Sequence, residues 1–193
     1  MIKVDKWTTR RVHQGDIYRN IEFIEYAVEE AGIVDISKID FPLVIVLTQD
    51  CDLQQDHTFR SSEEGKLTQD KYLLSVLVAP LYNVEQFYQG EHLSDLDLKM
   101  AGFERRKDKT ANKNLRDNEV PRYHYLEFPD NIPIVASVID FKHYFSVNVR
   151  YLTAIKQTNF VCAVSALYRE DISQRFAGFL SRIGLPINQD SQL

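Results

Sequence analysis

A chain of 193 residues with 44% apolar and 26% charged residues carries enough material for a sizeable core and has the composition of an ordinary globular domain. Its net charge of −5 argues against a dedicated nucleic-acid coat. Its two cysteines, Cys51 and Cys162, stand far apart in no metal-ligand spacing, which argues against a disulfide scaffold or zinc ribbon and fits a reducing compartment. Met1–Val12 is charged and lacks the apolar stretch of a secretion signal. No run approaches the roughly 18 apolar residues of a membrane span. A cytoplasmic protein with no membrane association and no cofactor is expected, as one domain over 1–193.

In chain order, residues 1–12 read as an irregular arm. Gly15-Asp16 supplies a turn, and Ile17, Ile21, Phe23 and Tyr26 continue as a half-buried strand with a bulge near Asn20. Residues 29–40 carry Gly32 and little pattern, so a loop or short hairpin is expected. Pro42 then opens a strand over Leu43–Leu47, apolar without interruption and therefore buried on both faces. That strand runs abruptly into Gln49-Asp50-Cys51-Asp52, read as a polar turn. The segment continues polar to Gln69, with a loop at Ser61–Gly65. A second core strand spans Tyr72–Leu81.

A helix is expected over Val84–Gln89, stopped by Gly90, and another over Ser94–Arg106 with Ser94 as N-cap. Together with the charged stretch that follows, they make residues 84–118 a helical, basic insertion. Lys99–Arg116 holds seven basic residues against Glu104 and Asp108, whereas Asp50–Asp70 holds six acids against Arg60 and Lys66. Each is read first as a solvated loop, with local phosphate binding as the sharper alternative for the basic one. Short strands are expected at Arg122–Leu126 and Ile134–Ile139. A longer one with one wet face spans Tyr144–Leu152, from the alternation of Phe145, Val147, Val149 and Tyr151 with polar residues. Val161–Val164 extends the sheet. Ser165 caps a terminal amphipathic helix over 165–184, with Leu167, Ile172, Phe176, Phe179, Leu180 and Ile183 at helical spacing, ended by Gly184 and Pro186. The fold class is α+β, mainly β: a strongly curved antiparallel sheet with a helical insertion and a closing helix.

The residues that could carry chemistry gather after the central strand. Cys51 is a candidate nucleophile with His57 or His13 as base, although Asp50 and Asp52 beside it oppose a thiolate; the alternative is a packing cysteine. Gln49 and Asp52 complete the candidate catalytic set. Asp50, Asp52 and Asp56 are weak candidates for Mg²⁺ or Mn²⁺, in a spacing that matches no standard metal loop, and Asp52 is otherwise a turn cap. For nucleic acid, the candidates are Arg105, Arg106, Lys107 and Lys109 of the basic stretch, with Arg122, Tyr123 and Tyr125 offering a cation beside stackable rings. An edge strand explains the last three equally simply.

Two resemblances follow from these residues. The order of Gly15-Asp16-Ile17, Phe41-Pro42-Leu43-Val44-Ile45-Val46 and Ser137-Val138-Ile139-Asp140 resembles the layout of the MazF/PemK toxin barrels, over most of the chain except 84–118. Thr48-Gln49-Asp50-Cys51-Asp52-Leu53 with the terminal Arg182-Ile183-Gly184-Leu185-Pro186 resembles a family of uncharacterised bacterial proteins. The first implies an SH3-like, PemK-like barrel, a toxin–antitoxin or phage-defence setting, and a protein partner or homodimer, with nucleic-acid contact open. It also implies a ribonuclease site, at which the toxins' Arg falls on Phe41 and their Thr or Ser near Leu81. Without that cation a pentavalent phosphate goes unstabilised. A non-catalytic interaction module is therefore expected, with a diverged nuclease or other hydrolase built on Gln49–Asp52 as the alternative.

Overall fold

The computed structural model describes residues 1–6, 9–103 and 113–182. Its eight strands are β1 (Val4–Asp5), β2 (Asp16–Glu30), β3 (Ile33–Val46), β4 (Ser75–Asn83), β5 (Tyr123–Leu126), β6 (Ser137–Asp140), β7 (Phe145–Asn148) and β8 (Phe160–Val164). All pair antiparallel in the order β1-β8-β2-β3-β4-β6-β5, with β7 also on β4. The helices are α1 (Asp50–Arg60), α2 (Glu64–Leu67), α3 (Val84–Gln89), α4 (Lys113–Arg116), α5 (Val149–Asn159) and α6 (Ala166–Leu180). The result is an α+β protein around a curled antiparallel half-barrel. The two ends of the strand order approach one another: the Ile2 N–H, just before β1, donates to the Glu127 carbonyl, just after β5, at 2.7 Å.

The centre of the sheet is buried on both faces. Ile45 packs with Ile17, Leu81, Ile139 and the α6 residues Ile172 and Phe176. Its neighbours Val44 and Val46 pack on the opposite face with Tyr18, Val76, Val78, Leu53 of α1 and Leu152 of α5. Alternate side chains of one strand thus serve two cores, as the uninterrupted apolar run requires. A third cluster forms around Val84, Phe87, Tyr88, Leu115 and Val138.

Several expectations hold. The Val84–Gln89 helix is α3, and Gly90 stops it at φ +77°, where an added Cβ would sit 2.3 Å from the Met100 carbonyl oxygen. The strands at 122–126 and 161–164 are β5 and β8 within a residue or so.

Others are corrected. The Gln49–Asp52 turn is the start of α1, with Gln49 at the N-cap position and Asp50 and Asp52 in the first turn, where carboxylates suit the positive helix end. The polar look of 50–60 conceals a helix because only Leu53, Asp56 and Phe59 face inward. Residues 29–40, expected as a loop or short hairpin, belong to a long hairpin: its turn is at Ala31 and Gly32, both at positive φ, and 33–40 are the outer part of β3. Pro42 lies inside β3 rather than at its start, opposite Asn20 at φ +55°, and the register shift falls between Ile24 and Tyr26 rather than near Asn20.

The 144–152 strand ends at Asn148, whose side chain accepts from the backbone N–H groups of Arg150 and Tyr151 and starts α5. The apolar alternation persists past the cap, so periodicity alone could not find the switch. The Ser94–Arg106 helix reduces to a 3₁₀ turn at Ser94–Leu96, with 97–103 irregular and 104–106 outside the described residues. Within the 84–118 insertion, the described helical parts are therefore short. α6 buries Ile172 and Phe176, but Leu167 and Leu180 are exposed, and Ile183, Gly184 and Pro186 lie outside the described residues. No helix among the described residues is long and apolar enough to cross a membrane. Asn148→Ala removes the cap that converts strand into helix and is expected to cost about 1 kcal/mol, read as a lowered urea midpoint.

Candidate functional site

The residues between the end of β3 and the start of α1 meet the chain before β2. Asp50 is the meeting point. Its carboxylate accepts from Arg11 Nη1 and Nη2 at 3.1 and 3.0 Å and from the Gln14 backbone N–H at 3.2 Å. His13 Nδ1 lies 3.4 Å away, and Arg169 of α6 at 3.9 Å. Burial pushes this carboxyl up, but the Arg11 pair, the Gln14 N–H and Arg169 outweigh it and hold the group below its usual range. A second pair lies beneath: Lys156 Nζ donates to Asp16 Oδ2 at 2.7 Å and also reaches the Arg11 carbonyl. Both side chains are buried, and Asp16 also accepts from the His13 N–H at 2.9 Å. Burial pushes the Asp16 carboxyl up, with Lys156 acting against it.

The structure brings some candidate residues together and separates others. His13 reaches Asp50, and its Nε2 lies 2.7 Å from the Thr9 hydroxyl. Desolvation, reinforced by the charges of Arg11 and Lys156, lowers His13 to about 4, so it is neutral at pH 7. Gln49, Cys51, Asp52 and His57 are exposed on α1 or at its cap. The Cys51 thiol donates towards Gln49 Oε1 at 3.6 Å and Asp52 Oδ1 at 3.7 Å, an amide and a carboxylate rather than the imidazole expected beside a nucleophile. Asp56 is buried, accepting from Arg60 Nε at 2.8 Å and the Leu73 N–H at 2.7 Å. Asp50 and Asp56 thus answer to separate arginines. Among the described residues, no group of three or more His, Cys, Asp or Glu is arranged to hold a metal ion. Arg11, Val12, Leu53, His57 and Arg60 line a cleft of about 240 Å³ between α1 and α5.

The nucleic-acid candidates divide likewise. Arg105, Arg106, Lys107 and Lys109 lie outside the described residues. Arg122 is held by the fully buried Asp140 through Nε at 2.8 Å, while Tyr123 packs edge-on against Phe87 and Phe103. Tyr125 is half-buried, with the Arg116 guanidinium 6.0 Å from its ring centre. Near Asp140, His143 Nδ1 lies 3.0 Å from the Tyr82 hydroxyl, and His92 packs at a tilt against the Tyr82 and Phe87 rings.

Sequence reasoning missed a pocket of about 200 Å³ lined by Ile39, Phe41, Leu43, Leu81, His92 and Leu96 among others. It also missed Arg11, Asp16 and Lys156, which stand far apart in sequence. The Gly15-Asp16 motif was the only available signal for them. No family model and no curated protein sequence matches this chain.

Lys156→Met leaves Asp16 buried without its cation and is expected to destabilise by about 3–5 kcal/mol, with much of the loss recovered in Asp16→Asn/Lys156→Met, measured by urea unfolding. His124 is buried, and desolvation with Arg175 nearby lowers it to about 3. Between its unfolded value and that folded value the unfolded chain binds a proton that the native one does not, so stability falls as pH drops from about 6.5 towards 3. His124→Asn should flatten that slope by up to about 1.4 kcal/mol per pH unit, seen as urea midpoints at pH 7.5 and 5 that lie closer together than in the parent.

Proposed function

We propose that this chain is a non-catalytic interaction module on a PemK-like half-barrel, working in a bacterial multi-component system of the toxin–antitoxin or phage-defence kind. One observation carries the reading. Phe41 and Leu81, where the toxin resemblance puts the cation and the hydroxyl, line one pocket as an apolar pair. These two positions suit binding of an apolar group and offer no cation to a phosphoryl transition state. The approach of the sheet ends through Ile2 and Glu127 supports the barrel comparison. The internal pairing of Arg11 with Asp50, Arg60 with Asp56 and Arg122 with Asp140 supports a structural use of the charges. Nucleic-acid contact belongs in this reading to the basic stretch 99–116.

One observation favours the second reading, a diverged nuclease or other hydrolase. Asp50, His13 and Thr9 follow one another as carboxylate, neutral imidazole and hydroxyl, at 3.4 and 2.7 Å. Against it, both Asp50 oxygens are already engaged by Arg11.

The test is incubation of the purified protein with mixed single-stranded RNA and DNA, with Mg²⁺ and with EDTA, read on a denaturing gel and by mobility shift. Intact substrate in every lane is expected. Cleavage that disappears in both Asp50→Asn and His13→Gln would overturn the module reading and make this junction an active site.

A further inference from the structure

The β2–β3 hairpin leaves the body of the protein. β2 pairs with β8 only over Asp16–Tyr18, and β3 pairs with β4 only over Val44–Val46. Beyond those registers the two strands pair only with each other among the described residues, out to Glu30 and Ile33. Ile21 and Phe23 still pack on the core, and the exposed arm from Ile24 to Glu30 is about 20 Å long at the ordinary rise per strand residue. Among the described residues no strand pairs with its two outer edges, the arrangement that accepts an added strand.

Its side chains are apolar where a free surface would be polar. Ile24, Tyr26, Val28, Ile33, Val34 and Ile36 are between 46% and 73% exposed. The register sorts them onto both faces. Tyr26 opposite Ser37, Val28 opposite Asp35 and Glu30 opposite Ile33 share one face; Ala27 opposite Ile36 and Glu29 opposite Val34 share the other. A bare two-stranded ribbon is marginal in water, and one that exposes aliphatic groups on both faces gains from being covered.

Charge selects the cover. Residues 22–40 carry six carboxylates (Glu22, Glu25, Glu29, Glu30, Asp35 and Asp40) against one cation, Lys38, which is paired with Glu22. This surface repels nucleic acid and an anionic bilayer, and repels a second copy of itself laid arm to arm. The pocket at its base continues the same chemistry, with Asp40 and Asp95 beside Ile39, Phe41 and Leu96.

We infer that the arm is the docking element for a protein partner that presents an extended segment in which apolar side chains alternate with Lys or Arg. This rests on the interaction-module reading and names the partner's chemistry. The segment adds to an arm edge through main-chain hydrogen bonds. Its aliphatic groups cover one face of the arm, and its cations meet the carboxylates.

The test uses the full chain and two blocked 12-residue synthetic peptides, one alternating Lys with Val and the other Glu with Val, followed by backbone amide NMR and calorimetry. The Lys–Val peptide is expected to shift amides within residues 22–38 and to lose at least tenfold in affinity in Glu25→Lys/Glu29→Lys/Asp35→Lys. A similar loss is expected in Tyr26→Thr/Ile36→Thr. These side chains are exposed, so circular dichroism and the urea midpoint should stay near the parent's and separate lost binding from lost folding. Equal binding of the Glu–Val peptide, binding of neither, or shifts confined to other parts of the chain would overturn the inference. A dimer in sedimentation that dissociates on the arm substitutions would overturn it too, by assigning the arm to self-association. Cleavage in the nucleic-acid assay that depends on Asp50 and His13 would overturn the module reading while leaving the peptide result intact, so the two can fail separately.

Discussion

The hairpin β2–β3 is buried on both faces over its inner half and on neither over its outer half, and most of the molecule follows from that asymmetry. On the inner half, Ile17, Tyr18, Val44, Ile45 and Val46 are essentially removed from water. Each fully buried aliphatic contributes about 1.5–3 kcal/mol of burial, so α6 on one face and α1 with α5 on the other are held by the same few residues. The change occurs near Asn20 and Pro42, which stand across from each other. Pro42 has no N–H to donate and Asn20 takes φ +55°, so regular pairing is interrupted at both strands together. On the core side of that point the strands are scaffold. Just beyond it Ile21 is still buried and Phe23 and Phe41 pack on Phe145, and from Ile24 outward the strands are mostly exposed on both faces.

The ionic groups obey the same division. Asp16, Asp140 and Asp56 are buried, and each is answered by a cation: Asp16 by Lys156 of α5, which the sheet order alone would not place, Asp140 by Arg122 beside its register partner Tyr123, and Asp56 by Arg60 one turn on in the same helix. Breaking such a pair costs more than forming it gains, because the remaining charge is left in a poor solvent. The Lys156–Asp16 pair therefore specifies that α5 meets the start of β2. Asp50 acts likewise at the surface, tying the chain before β2 to the first turn of α1 and, more loosely, to α6. An arginine held by two of its nitrogens on a carboxylate is poorly placed to act on a substrate phosphate. That is the physical reason for reading the junction as a fastening.

What the sequence made legible was local. The two-sided strand at Leu43–Leu47, the α3 helix with its glycine stop, and β8 each carry their signal within a few residues. The α1 helix was hidden because its buried positions, Leu53, Asp56 and Phe59, include a carboxylate, so no apolar stripe announces it. The start of α5 was hidden because Val149 and Tyr151 continue the alternation of β7, and only the Asn148 cap marks the change. The outer hairpin, expected only as a loop or short hairpin over 29–40, was underestimated in length for a related reason. Its strands mix aliphatic and acidic residues on both faces, so they carry neither the alternation of a half-buried strand nor the continuous run of a buried one. Of the candidate site, His13 and the carboxylates were visible as residue types, whereas Arg11 and Lys156 become partners only through the fold.

That unpatterned composition is itself informative. A strand selected to pack on its own core would show one apolar face, and a strand selected only to stay soluble would show few aliphatic residues at all. The arm does neither: it keeps β-branched residues on both faces and dilutes them with carboxylates rather than lysines. Carboxylates on exposed edges keep copies of the chain apart through like-charge repulsion, which suppresses edge-to-edge aggregation while leaving the edge open to a strand of opposite sign. Solubility of the free protein and selectivity for a cationic partner are then met by the same residues. The apolar pocket at the base of the arm extends that surface onto the half-barrel, where Phe41 links the Phe145 ring of the core, 5.3 Å away, to the point at which the arm departs.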